Sequence, residues 1–159
     1  VMPKYEKAIV FGGFSKTYGM PGWRMGFVAG PEDALEAMKT LQQYTFVCAP
    51  SPLQYGALAA MQVPMGEHRD DYERKRDLVY EQLRDHYELV PSEGSFYAFP
   101  AYPKGIEEES FLAQCLERRL LIVPGSAFSS RSTHFRLSFA ASDEMLRRGL
   151  DVLREIAGA

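Results

Sequence analysis

Lys16 and Arg24 stand eight residues apart in "GGFSKTYGMPGWRMG", residues 12–26, a segment otherwise rich in glycine, aromatic and apolar residues. A lysine desolvated among apolar neighbours is held back from its charged form, and its amine then serves as a nucleophile toward carbonyl groups. Arginine offers a planar fork of donors matched to phosphate. Ser15 and Thr17 flank the lysine with hydroxyls, and Gly12 and Gly13 let backbone approach a ligand closely. Amine, guanidinium and hydroxyls together suit a small ligand carrying both an aldehyde and a phosphate. Taken singly, each cation reads first as an ordinary solvated surface residue, so the weight rests on the combination.

A nucleotide-binding loop is the nearest competing pattern, since "SKT" after a strand and glycines resembles G-x-x-x-x-G-K-S/T. That pattern needs glycine immediately before the lysine, and Ser15 stands there. Pro21 and Gly22 also interrupt the helix that should follow.

The elements that must position these residues follow from periodicity. The apolar run Ala8–Phe11, closed by Gly12 and Gly13, reads as a buried strand of a parallel or mixed sheet, and Met25–Ala29 as a second strand closed by Gly30-Pro31. The lysine segment is then a connection at one end of a sheet. A helix follows from Pro31, with Glu32 and Asp33 in its first turn and Ala34, Leu35, Met38, Leu41 and Thr45 at helical spacing. Another starts near Pro52. Residues 70–87 form a charged helix whose inner stripe is Tyr72, Val79, Leu83 and Tyr87. Beyond it the pattern predicts a strand over 95–99, a helix with Phe111–Cys115 and Leu112–Leu116 pairs, and strands in "LLIVPGSAF" and "THFRLSFA". A last helix is capped by Ser142, with Leu146, Leu150 and Leu153 facing inward. Residues 94–157 thus read as a small α+β sandwich.

Bulk properties narrow the class. The chain of 159 residues has 46% hydrophobic and 25% charged residues, as an ordinary globular domain does. A net charge of −3 argues against a nucleic-acid surface. Cys48 and Cys115 are too far apart and too few for a metal or disulfide framework, which favours a reducing cytoplasm. His68, His86 and His134 are scattered and read as surface residues with no metal site. Apolar runs are too short to span a bilayer, and no charged leader precedes one. Tyr18 and Trp23, and Tyr44 and Phe46 between two helices, read as packing residues. The opening "VMPKYEKAIVFGG" enters a strand almost at once, as a chain does when it begins inside a larger fold.

"SKTYGMPGWRMG" and the following "GP" resemble the signature of the class I/II aminotransferases, fold-type I pyridoxal-phosphate enzymes. The resemblance continues through "PSPLQYGALAAM", "GSFYAFP", "LLIVPGSAF" and "HFRLSFA" to the end of the chain. It implies an α/β fold made of the end of a fold-type I large domain, residues 1–66, and an α+β C-terminal small domain, residues 67–159. It implies that Lys16 carries pyridoxal 5′-phosphate as a Schiff base and acts as general base and acid. Arg24 would bind the cofactor phosphate, and Arg136 the substrate α-carboxylate. Members often carry a hydroxyl three positions before the lysine. Gly13 stands there, which leaves Ser15 as the candidate for that phosphate contact.

The resemblance also implies amino acid and 2-oxo acid substrates and a homodimeric parent. The family's aspartate that pairs with the pyridine nitrogen, its ring-stacking aromatic and most of its large sheet fall outside these residues. The chain is therefore expected to be a C-terminal fragment with little transamination by itself. Other reactions on the same scaffold share the lysine and arginines: a carbon–sulfur lyase, a cyclopropane-forming synthase or a decarboxylase. A non-catalytic aminotransferase-like module is the third reading, against which the retention of Lys16, Arg24 and Arg136 counts.

Overall fold

The computed structural model describes residues 5–158. The chain divides into two compact units, Val1–Gly66 and Glu67–Ala159.

In the first unit, strands β1 (Val10–Gly13) and β2 (Gly26–Ala29) pair antiparallel, with Gly12 opposite Phe27 and Gly13 opposite Gly26. The Phe14 N–H extends the ladder by donating to the Met25 carbonyl at 3.1 Å. Gly12 lets the Phe27 ring lie across the ribbon, since a Cβ there would stand 2.3 Å from that ring as it is placed. Helices α1 (Glu32–Gln43) and α2 (Ser51–Ala60) follow, α1 with Glu32 and Asp33 set against its positive N-terminal dipole. The core is small: Phe14, Met25 and Ala57, with Tyr18, Met20, Ala49 and Leu53 packed around them.

That small core corrects three expectations. The first strand starts two residues later than the apolar run and pairs antiparallel with its neighbour, and its Phe11 is 72% exposed. Tyr44 and Phe46, read as packing residues, are 84% and 70% exposed. Leu41 keeps helical spacing on α1 yet is exposed as well. The cause is common to all three. A two-stranded ribbon and two short helices cannot cover all the apolar faces they carry.

The second unit opens with α3 (Gly66–Leu83), followed by β3 (Tyr97–Ala98), α4 (Glu108–Glu117), β4 (Val123–Pro124), β5 (Phe135–Ser138) and α5 (Asp143–Ile156). The sheet order is β3-β5-β4, both pairs antiparallel. Tyr97 faces Ser138 and Val123 faces Arg136 in register.

Alternation along β5 divides its side chains cleanly. Phe135 and Leu137 are buried in the core, so Arg136 and Ser138 project from the opposite face. The core beneath them joins Val79, Leu83 and Tyr87 to Phe111 and Cys115 of α4 and to Leu146, Leu150, Leu153 and Ile156 of α5. Ser142 caps α5 as expected, its hydroxyl accepting from the Met145 N–H at 3.3 Å. Arg74 of α3 reaches Asp71 at 2.6 Å and Asp143, in the first turn of α5, at 2.8 Å.

Tyr72, expected in the inner stripe of α3, stays at the rim at 37% exposure, with its ring 6.5 Å from that of Phe139. Leu116 likewise turns to solvent, because α4 buries only the Phe111–Cys115 side of its surface.

Candidate active site

Lys16, Ser15 and Arg24 all lie on the connection between β1 and β2. Hydrophobic burial fixes that connection at both ends: Phe14 and Met25 are buried, and Tyr18 stacks on Phe14 with ring centres 5.3 Å apart. Backbone bonds fold the intervening chain. Gly19 N–H donates to the Lys16 carbonyl, Met20 N–H to that of Phe14, and Trp23 N–H to that of Met20, each at 3.3 Å. Gly19 sits at φ 61°, a left-handed conformation that glycine adopts without penalty. The Pro21–Trp23 stretch forms a single 3₁₀ turn, proline supplying the preset φ at its start.

Arg24 ends that turn at φ 52°, ψ 40°, in the left-handed region where a side chain is strained. One of its guanidinium nitrogens donates to the Pro21 carbonyl at 3.1 Å, and the residue is otherwise exposed. Trp23 beside it is partly exposed but packs on α2: a Cβ at Gly56 would lie 2.4 Å from the indole. The glycine at 56 is what permits the tryptophan to lie on the helix.

Lys16 is exposed, and Ser15 half-buried. This corrects the expectation of an enclosed amine. The aromatic and apolar neighbours that suggested enclosure, Phe14, Tyr18 and Met20, turn toward the core formed with Ala57 and Leu53, and the lysine is left on the outside of the turn.

Arg136 belongs to the second unit. Its guanidinium carbon lies 4.4 Å from the centre of the Tyr97 ring and 4.4 Å from that of Phe128. The side chain is half-buried and, among the described residues, its guanidinium forms no hydrogen bond or ion pair. Phe128 is carried by a 3₁₀ turn, Gly125–Ala127, leaving β4. Gly125 fits under β5 because a Cβ there would meet the His134 carbonyl at 2.3 Å, and its own N–H donates to that carbonyl at 2.8 Å.

Ser126 of the same turn donates to Glu108 at 2.6 Å, and the Tyr102 hydroxyl donates to the other carboxylate oxygen at 2.9 Å. The Ser126 bond holds the Glu108 carboxyl below its usual range. Burial, and then the bond to Glu108, push the Tyr102 phenol up.

The sequence reading passed over Tyr97, Phe128 and Glu108. The signal for Tyr97 was available, since alternation places it on the same face of the sheet as Arg136. Nothing local marked Phe128 or Glu108, which reach their partners through the turn at Gly125. Of the histidines, His68 is exposed, and His134 is half-buried and stacked on Phe99 at 5.2 Å. Among the described residues no cluster of three or more His, Cys, Asp or Glu is placed to hold a metal ion, and no helix is long and apolar enough to cross a membrane.

A connection that mounts a lysine and an arginine on a buried phenylalanine–methionine pair, followed by an α+β unit with an arginine on its outer sheet face, defines a class. The chain belongs to the aminotransferase class I and II family, which it matches across residues 1–153, and it carries the mixed α/β architecture of fold-type I aminotransferases. It is 35% identical, over 95% of its length, to a probable aspartate aminotransferase of Methanocaldococcus jannaschii, of which it covers 43%. It is 34% identical, over 96% of its length, to aromatic-amino-acid aminotransferase 2 of Thermococcus litoralis, of which it covers 41%. The crystal structure of an aspartate aminotransferase from Thermotoga maritima superposes with a TM-score of 0.88 at 31% identity, over 95% of this chain and 40% of that one. The chain thus spans about two fifths of the length of the relatives it matches.

Proposed function

We propose that the chain is the C-terminal part of a pyridoxal 5′-phosphate-dependent aminotransferase, which exchanges an amino group between an amino acid and a 2-oxo acid. The observation that carries this reading is the placing of Lys16 and Arg24 on one anchored connection in a chain of this family. The relatives described above bear aminotransferase names, which weighs for amino transfer over lyase or decarboxylase chemistry on the same scaffold.

The donor set suits the cofactor. Lys16 offers an exposed primary amine for its aldehyde, and Arg24 keeps guanidinium donors beyond the one given to Pro21 for its phosphate, with Ser15 nearby in sequence. When bound, the cofactor supplies an electron sink for the bonds at the substrate α-carbon. The protein's own residues do the rest. Lys16 would hold the cofactor through its amine and, once the substrate's amino group had displaced it, would move the proton at the substrate α-carbon as general base and acid. Arg136 takes the α-carboxylate in a bidentate grip that lysine does not reproduce.

On this reading residues 1–66 are the end of the cofactor-binding large domain and residues 67–159 the small domain. The parent works as a cytoplasmic homodimer. The exposure of Phe11, Tyr44 and Phe46 supports a first unit that is completed by further polypeptide.

The test is chemical. The 159-residue chain is mixed with pyridoxal 5′-phosphate, reduced with borohydride, digested and mapped by mass spectrometry. Label concentrated on Lys16 is the expected result. Label spread over the surface lysines overturns the assignment.

A further inference from the structure

We propose that Tyr97 and Phe128 are positioning residues for Arg136, holding its guanidinium by its faces so that all its N–H donors remain available to a carboxylate; this rests on the reading of Arg136 as the carboxylate clamp. The two rings arrive from opposite sides of β5. Tyr97 lies on β3, one neighbour of β5, and Phe128 follows the turn that leaves β4, the other neighbour. Both ring centres are 4.4 Å from the guanidinium carbon, well inside the range in which a cation is attracted to an aromatic face. Such contacts engage the face of the guanidinium and leave its in-plane donors unspent.

An ion pair would orient the group just as well, but it would consume the donors that a substrate needs. Here, among the described residues, no carboxylate or carbonyl takes them. Arginine otherwise loses much rotamer freedom when it grips a ligand, and orienting it in advance removes part of that cost from binding.

Phe128 is itself held. Its N–H donates to the Gly125 carbonyl at 2.9 Å, Gly125 N–H donates to His134, and Ser126 donates to Glu108 on α4. The ring's position is therefore set by the sheet and by α4, not by the ligand.

Side-chain NMR of the full 159-residue chain tests the proposal, with pyruvate as the carboxylate probe. The Arg136 Nε–H signal, assigned by its disappearance in Arg136→Lys, is expected to be displaced by ring currents before any ligand is added and to shift saturably with pyruvate. Phe128→Leu and Tyr97→Leu are each expected to remove part of that displacement and to weaken pyruvate binding about threefold or more. Phe128→Tyr and Tyr97→Phe, which keep a ring, are expected to bind within about twofold of wild type. The backbone amide signals of β5 report in every variant whether the sheet is intact. Wild-type affinity and a wild-type Nε–H displacement in both leucine variants, or loss of affinity in the ring-retaining variants on an intact sheet, overturns the positioning role alone. Pyruvate binding that survives Arg136→Lys unchanged overturns the clamp itself.

Discussion

The Tyr87 hydroxyl, buried in the turn that follows the long charged helix α3, donates to the Leu153 carbonyl of α5 at 2.6 Å across 66 residues of sequence. The bond ties the turn that follows α3 to α5, beside the Arg74–Asp143 ion pair that joins the two helices themselves. Its ring also stands edge-on to Phe111 and Phe135, 6.3 and 5.7 Å away. Tyr87→Phe removes the hydroxyl and keeps the ring. The Leu153 carbonyl still accepts from the Ala157 N–H, so no acceptor is left bare. The expected loss is about 1 kcal/mol by urea unfolding, with the near-ultraviolet spectrum of the remaining aromatics preserved.

Alkaline pH should weaken the second unit by a defined route. Burial pushes the Cys115 thiol up from its usual 9.0 to about 11, Arg118 pulling weakly the other way. Below pH 9 the thiol is protonated in the folded and unfolded chain alike. Between pH 9 and 11 only the unfolded chain gives up the proton, so stability falls as pH rises, by about 2–3 kcal/mol across that window. The phenols of Tyr87 and Tyr102, pushed up chiefly by burial, add to the loss above pH 10. Urea midpoints measured from pH 7 to 11 should show this decline. Cys115→Ala should flatten the portion between pH 9 and 10, from a lower starting stability because it leaves a cavity in the core.

Helix α5 depends on one hydroxyl at its start. Ser142→Ala deprives the Met145 N–H of its acceptor and is expected to cost about 1 kcal/mol, whereas Ser142→Gly should cost only a few tenths. A difference in thermal midpoint between these two variants checks it. Equal loss in both would assign the effect to something other than the cap.

Arg24 should show function and stability pulling apart. Its backbone is left-handed, so Arg24→Gly relieves strain and is expected to hold or raise the stability of the ligand-free chain by about 0.5–1 kcal/mol. The same substitution removes the phosphate anchor. Binding of pyridoxal 5′-phosphate, followed by its absorbance, should weaken at least tenfold, in keeping with the loss of a charge-assisted contact.

The second unit was more legible from sequence than the first, for a physical reason. Its strands and helices pack on one another, so a pattern such as Leu146, Leu150 and Leu153 finds its partner within the same stretch of chain, and Ser142 caps where its residue type says it should. In the first unit, Phe11, Leu41, Tyr44 and Phe46 carry the apolar character of buried residues and lie exposed. Periodicity reports that a face wants cover; it does not say which part of the chain covers it. The spacing of Lys16 and Arg24 was plain, while the left-handed backbone at Arg24 was not, since arginine is a poor marker for that conformation. The ring pair around Arg136 was half legible: Tyr97 follows from strand alternation, whereas Phe128 arrives through a turn whose direction depends on Gly125 passing under His134.

The alternation of β5 has a consequence for how this site is assembled. A slip of one residue against β3 and β4 would drive the Arg136 charge into the hydrocarbon interior and expel Phe135 and Leu137 to water. Mispaired intermediates are thus rejected by the cost of an entombed cation, and any molecule that completes its sheet has, by that act, already presented its arginine.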